Sequence, residues 1–392
     1  GFADAEGAAR RIAALKTSPR IQLDSPTIRE RFDALIPRVI EAAAETTQPD
    51  ETLTRLLDLL EAVARRAAYL ALLHQYPQAL KKLAQLMGSS AWAADYLQRH
   101  PILLDELLDA RLLEAGQDWK DFRSALAAQL DEVEPDTERQ MDLLREAHHA
   151  QVFRLLTQDI SGLLPLEKLS DHLSELADII VDVALRYAWK KLSTRHRDDP
   201  LFAVVAYGKL GGKELGYASD LDLVFLYDDA AEEAGQNYSR LSTRLNTWLS
   251  AQTPAGQLFE TDLRLRPNGE AGLVVVSLEG FRKYQIENAW VWEHQALTRA
   301  RFAAGDAGLG ARFEAVREEI LRQPRDLAQL RGEVIAMRQK MIDAHGTKGD
   351  EREVRFNLKH DPGGLIDVEF IVQYLILGHA QAHPELCGNL GN

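Results

Sequence analysis

A chain of 392 residues with 46% hydrophobic residues can bury a large core, and its length suits two or three domains. No apolar run approaches the roughly 20 residues needed to cross a bilayer, and the N-terminal GFADAEGAARRIAALKTSP lacks a signal peptide's apolar centre, so a cytoplasmic protein without a membrane partner is expected. The net charge of −14 opposes a polyanionic partner such as nucleic acid, and the single cysteine, Cys387, excludes an internal disulfide framework and a thiolate zinc site.

From residue 20 to about 195 apolar residues recur at three- and four-residue spacings, as in TLTRLLDLLEAVARRAAYLALL, which predicts an all-helical region. Ser89 and Ser90 are candidate caps for AWAADYLQRH, and Pro101 suits the first turn of ILLDELLDARLL. The acidic DEVEPDTERQ, with Pro135 inside it, reads as a connection or a helix start. Near residue 200 the period changes. LFAVVAYG and LDLVFLYD predict buried strands, YSRLSTRLNTWLSAQ a helix, and QLFETDLRLRP and GLVVVS two further extended segments, so this middle part mixes helices and strands. Beyond Ser277 the pattern is mostly helical, with ENAWVWEHQALTRAR as one helix and VRFNLK as a short strand. The chain stops at Asn392, directly after GGLIDVEFIVQYLILGHAQAH and without a closing element, which reads as a fragment of a longer protein.

The segment AYGKLGGKELGYASDLDLVFLYD sets two adjacent glycines after one strand and an Asp-Leu-Asp triplet at the start of the next. Alternation along a strand projects Asp220 and Asp222 to one face and sends Leu221 and Leu223 into the core. Two carboxylates held together repel unless a cation lies between them, so the pairing points to a divalent metal. Gly211 and Gly212 would let backbone amides approach a phosphate. The P-loop is excluded, because Tyr207 stands five residues before Gly212 and Glu214 follows Lys213 where Ser or Thr is required; the GxGxxG order of dinucleotide sites is missing too. In FETDLRLRPNG the same alternation gathers Glu260, Asp262, Arg264 and Arg266 on one face, a pattern that an exposed edge strand can also show. Placed beside the first two aspartates, it adds a third carboxylate and two guanidiniums to the site.

A strand, a glycine pair, a short helix and Asp-x-Asp, with a third Asp on a later strand, resemble the nucleotidyltransferase superfamily that includes DNA polymerase beta. More narrowly, GKLGGKELGYASDLDLVFLYD, DLRLRPNGEAGLVV, ENAWVWEHQALTRAR and DPGGLIDVEFIVQYL are similar to the glutamine synthetase adenylyltransferase family, and upstream SSAWAADYLQRHPILLDELLD and QDISGLLPLEKLSDHLSELAD extend the resemblance over nearly the whole chain. It implies an α+β fold, a polymerase-beta-like core of small mixed sheet and helices flanked by helical bundles. It also implies a helical linker or regulatory region over 1–130, a catalytic domain over 131–305 and a truncated helical region over 306–392.

Members of that family carry two such units, one removing AMP from glutamine synthetase and one attaching it. AYGKLGG and DPGGLIDVEF, with Asp367 where the removing unit has a basic neighbourhood, look like the attaching unit. The implied reaction is attack of a glutamine synthetase tyrosine on the α-phosphorus of ATP with release of pyrophosphate. In it Asp220, Asp222 and Asp262 hold two magnesium ions, Asp262 also accepts the tyrosine proton, and Gly211, Gly212, Ser219, Arg264 and Arg266 meet the triphosphate. Lys359 is a further phosphate candidate, a solvated edge being the competing reading, while His294, Arg299 and Arg301 are weaker candidates beside Trp290 and Trp292, which most simply serve packing. Control by glutamine and a PII signalling protein is implied as well. The alternatives are the adenylyl-removing unit, a nucleic-acid nucleotidyltransferase, which the charge disfavours, and a non-catalytic helical module, against which the three acids argue.

Overall fold

The computed structural model describes residues 1–18, 26–64, 66–108, 116–349 and 354–388. These fall into two units that interleave along the chain. One comprises Gly1–Asp118, Pro135–Leu169 and Thr253–Gly256, the other Trp119–Glu134, Ser170–Gln252 and Gln257–Asn392.

Among its described residues the first unit is built of helices, to which Thr253–Gly256 adds one bridged turn. Pro49–Val63 buries Leu53, Leu56, Leu57 and Leu60, the apolar stripe that the three-and-four spacing predicts. Ser90 rather than Ser89 caps Ala91–Arg99, its hydroxyl accepting from the Ala93 amide at 3.2 Å. Pro101 opens a 3-10 segment, Pro101–Leu108, in place of the α-helix expected there, and the remainder of that expectation lies outside the described residues. The acidic stretch around Pro135 is both a connection and a start, for Asp136 caps the long helix Thr137–Ile160.

The second unit is built on five strands: β1 Phe202–Ala206, β2 Leu221–Tyr227, β3 Thr261–Asp262, β4 Val275–Ser277 and β5 Arg301–Gly305. β1 is wholly buried and pairs antiparallel with β2 on one side and β5 on the other. The far edge of β2 is shared: β3 pairs with its first residues and β4 with its last, both parallel. The result is a small mixed sheet packed against helices, an α+β architecture of the polymerase-beta-like nucleotidyltransferase kind. Its core includes Val205, Tyr207, Val224, Leu226, Phe281, Phe313 and Leu321.

Three expectations need correction. The strand expected through QLFETDLRLRP shrinks to Thr261–Asp262, because residues 264–269 fold into turns. ENAWVWEHQALTRAR is helical only over Val291–Leu297; Arg299 lies in the turn after it and Arg301 opens β5, a strand whose sequence RFAAG carries no β-branched residue to announce it. VRFNLK is not a strand. The chain there turns around the buried Asp361, whose carboxylate accepts from the Asn357 amide at 2.7 Å and from the Thr347 amide and hydroxyl at 2.6 and 2.7 Å. Among the described residues no helix is long and apolar enough to cross a membrane.

Candidate active site

β2 and β3 bring the acids together. Their parallel register sets Asp222 opposite Asp262 and Leu221 opposite Thr261, and the Leu221 amide donates to the Glu260 carbonyl at 2.9 Å. Residues opposite one another in adjacent strands share a face, so Asp222 and Asp262 project side by side and Asp220, two positions before Asp222, joins them at the exposed mouth of the strand. On the opposite face Thr261 donates to Asn246 at 2.6 Å, tying β3 to helix Ala234–Ser250. The charges meet as well. Burial first, then the like charges of Asp220 and Asp262, push the Asp222 carboxyl up to about 6, partly offset by Arg264 and Arg299.

Asp262 has its own counter-ion. The Arg264 guanidinium grips both of its carboxylate oxygens, with Nε at 3.0 and 2.9 Å and Nη2 closer still, and holds the carboxyl below the usual range. Arg264 therefore does not look along a strand face into the cleft; it folds back two residues onto Asp262, its side chain 70% exposed. Arg266 does not face the acids either. It staples the following loop, donating to the carbonyls of Leu263 at 2.7 Å, Glu270 at 3.1 Å and Gly272 at 3.3 Å.

The glycine pair does not free two amides for a phosphate: the Gly211 amide donates to Tyr207 and that of Gly212 to Gly208, closing the one-turn helix Gly208–Gly211. Both glycines serve close packing instead. A Cβ on Gly211 would lie 1.8 Å from the Arg299 carbonyl oxygen, and one on Gly212 2.9 Å from Arg299 Nε. The glycine nearest the acids is Gly208, which sequence reasoning passed over. Its φ of +56° is left-handed, and a Cβ there would lie 2.1 Å from Asp222 Oδ2. Gly208→Ala should therefore displace Asp222 and destabilise the chain by roughly 1–3 kcal/mol, read by thermal unfolding with EDTA present; an unchanged midpoint would contradict the close approach. The amides of residues 208–210 are the first-turn donors that lack an intrahelical acceptor, so any phosphate at this turn would meet them rather than the pair.

Ser219 closes the turn that leads into the acids, its hydroxyl accepting from the Gly216 amide at 3.0 Å. Lys359 is exposed in the Asp361 turn and is not among the charges acting most strongly on Asp222. His294 is a packing residue. Its Nδ1 accepts from Arg325 at 3.1 Å, its Nε2 donates to the Gln285 carbonyl at 2.8 Å, and burial with the Arg325 charge lowers it to about 4. Trp290 and Trp292, expected to pack, are 70% and 39% exposed. Arg301 grips Asp178 at 2.7 and 3.0 Å, joining β5 to helix Leu166–Lys190; burial, opposed by Arg301, raises Asp178 to about 6.

As placed, the acids do not form a finished coordination shell: among the described residues no group of three or more His, Cys, Asp or Glu side chains stands ready to hold a metal ion. The donor set nevertheless suits a hard divalent cation. It offers oxygen ligands only, and a positive charge beside Asp220 and Asp222 would offset the burial and the like charges that raise the Asp222 carboxyl. Asp262 can join once Arg264 lets go.

Residues 80–316, which include all three acids and the glycine turn, match the family described as glutamate-ammonia ligase adenylyltransferase. The chain is 68% identical over 365 residues, 93% of its length, to the bifunctional glutamine synthetase adenylyltransferase/adenylyl-removing enzyme of Aromatoleum aromaticum, covering 38% of that protein. Over its whole length it is 54% and 52% identical to the proteins of the same name from Chromobacterium violaceum and Ralstonia nicotianae, of which it covers 43% and 41%. It thus spans about two fifths of the curated relatives it matches, and within that span the acids, the glycine turn and the mixed sheet make it a member of the glutamate-ammonia ligase adenylyltransferase family.

Proposed function

We propose that the chain is the adenylylating unit of its family, transferring AMP from ATP to a tyrosine of glutamine synthetase with release of pyrophosphate. The observation that carries the reading is the register of Asp222 opposite Asp262, with Asp220 on the same face. Asp220 and Asp222 would hold magnesium, two ions in all once Asp262 contributes. When bound, the metal neutralises the triphosphate and makes the tyrosine oxygen more nucleophilic. Arg264 has two uses in this scheme. Without ATP it keeps Asp262 ionised; transferred to a phosphate oxygen, it frees Asp262 to take a ligand or the phenolic proton, whose ordinary pKa is about 10. The amides of residues 208–210 would receive phosphate oxygens, and Ser219 would keep the approach to Asp220 in shape. Lys359 belongs to this scheme as a candidate phosphate contact at a distance, as do glutamine and a PII signalling protein as regulators.

The test is incubation of the chain with glutamine synthetase, magnesium and labelled ATP. Label should enter glutamine synthetase as AMP in phosphodiester linkage to tyrosine, while added tRNA or DNA should neither accept label nor compete, as the charge of −14 demands. Adenylylated glutamine synthetase and phosphate form the opposing arm: release of ADP there, with no transfer in the first, would assign the adenylyl-removing reaction instead. Arg264→Ala should reduce transfer by roughly 10- to 100-fold with little change in thermal midpoint, because its own side chain is 70% exposed. Full activity in that variant would remove Arg264 from the scheme.

A further inference from the structure

Arg299 leaves helix Val291–Leu297 two residues before β5 and is nearly buried, its side chain 9% exposed. Two carboxylates hold it. Nη1 donates at 2.9 Å to Glu369 on helix Leu365–His379, and Nη2 pairs with Glu214 just beyond the glycine turn. That much describes a satisfied core ion pair, which by itself says little about stability, since a buried charge loses about as much on desolvation as it gains from its partners.

What the guanidinium touches between its two partners goes further. Its plane lies against Gly212, where a Cβ would come 2.9 Å from Nε and 3.0 Å from Nη2, and its backbone carbonyl lies against Gly211, where a Cβ would come 1.8 Å from the oxygen. At the other end of the same turn, Gly208 lies against Asp222 Oδ2. The turn 208–212 is thus gripped between Arg299 and Asp222, and each of its three glycines stands where one of the two leaves no room for a side chain. A shift of Arg299 toward the turn would meet the backbone at Gly211 and Gly212.

We infer that Arg299 is a positioning residue: held by Glu214 and Glu369, it fixes the turn 208–212 against Asp222 and so sets the spacing between the acids and the amides that receive the triphosphate. This rests on the reading of the acids as a site for metal-bound ATP. The guanidinium fork is essential to it, because a lysine ammonium can satisfy one carboxylate but cannot span both and cover Gly212.

Calorimetric titration of the full chain with magnesium and a non-hydrolysable ATP analogue tests it without the protein substrate. Arg299→Lys should weaken analogue binding roughly tenfold or more. Gly212→Ala, which pushes on the guanidinium without removing it, should do the same, and the double variant should be no weaker than the weaker single variant because both act through one contact. Should Arg299→Lys not fold, Glu369→Gln takes its place beside Gly212→Ala. Variants that lower the thermal midpoint yet bind the analogue within about twofold of wild type would reduce Arg299 to a core ion pair and overturn the inference, as would additive losses in the double variant. Wild type that binds the analogue but labels no glutamine synthetase would retire the proposed reaction and leave this inference to the variants; wild type that binds no analogue would overturn both.

Discussion

Asp220→Asn and Asp222→Asn should each cut AMP transfer by at least about 10³-fold while leaving the fold intact, and Asp222→Asn should make the metal-free chain more stable. The two effects have one cause. Asp222 is half-buried and set among like charges, so its carboxyl sits at about 6 in the folded chain against 3.8 as the ordinary value. Above about pH 6 it is ionised in both states, and the folded state bears the whole penalty, on the order of 1–3 kcal/mol. As pH falls from about 6 toward 3.8 the folded chain takes up the proton first and the penalty disappears. The stabilising effect of Asp222→Asn should therefore be full at neutral pH and gone near pH 4, measured as thermal midpoint in EDTA. Saturating magnesium should invert the comparison, stabilising wild type and not the variant, and should move the acid limb of the activity profile below 6. A variant that is less stable than wild type in EDTA, or that retains near wild-type turnover, would contradict the metal assignment.

Most of the architecture was legible in the sequence because binary pattern decided it. The three-and-four spacing of leucine in Pro49–Val63 and the unbroken apolar runs of β1 and β2 have one stable placement each, the first as a helix with a single buried face, the others as strands covered on both sides. β5 was not legible. RFAAG has the composition of a helix end, and it is a strand only because β1 offers it an edge and Gly305, at φ +103°, packs onto the Phe202 carbonyl. The same limit applied to QLFETDLRLRP, where alternation extends well past Asp262 but Arg266 draws the chain into a loop by binding three of its own carbonyls.

At the site, residue types were easier to read than their partners. The spacing of Asp220 and Asp222 and the later Asp262 required only strand alternation and one pairing. The glycines were read for the wrong contact. Adjacent glycines signal close backbone approach, yet the sequence does not say to what, and here the neighbour is Arg299, 87 residues beyond Gly212 in the chain. A signal for Gly208 was available: it stands two residues after a buried strand, where a left-handed residue is needed to turn the chain back across the start of β2.

Acidification should unfold the helical unit before it touches the acids, and the cause is a group of histidines that cannot be charged. His100, His148 and His149 lie together, with the rings of His100 and His149 3.9 Å apart and those of His148 and His149 5.3 Å apart. Tyr96 donates to His149 Nδ1 at 2.7 Å, since burial pushes the tyrosine hydroxyl well up and keeps its proton. Arg145, fully buried, donates to the Gly256 carbonyl at 2.8 Å beside them. Gly256, at φ +107°, lies so close that a Cβ would come 3.0 Å from His149 Nε2. Burial first, then Arg99, lowers His100 to about 4; burial, then the neighbouring imidazoles and Arg145, lowers His148 to about 3 and His149, with Arg99 adding to it, to about 2. An unfolded chain protonates them near 6.5, so as pH drops below about 6.5 it takes up protons that the folded chain refuses. Stability is therefore full above that value and falls continuously toward pH 4, by on the order of 1–3 kcal/mol for each histidine. The sign is opposite to that of Asp222, which separates the two. Thermal midpoints between pH 8 and 5 should fall in wild type, more steeply in Asp222→Asn, which lacks the opposing carboxyl, and less steeply in His100→Phe, which keeps the ring stack and removes one titrating group. Hydrogen exchange near pH 5 should show protection lost first in Ala91–Arg99 and Thr137–Ile160 while β1 and β2 remain protected. A flat profile between pH 7 and 5, or one that His100→Phe leaves as steep as before, would show that the three imidazoles already accept protons in the folded chain.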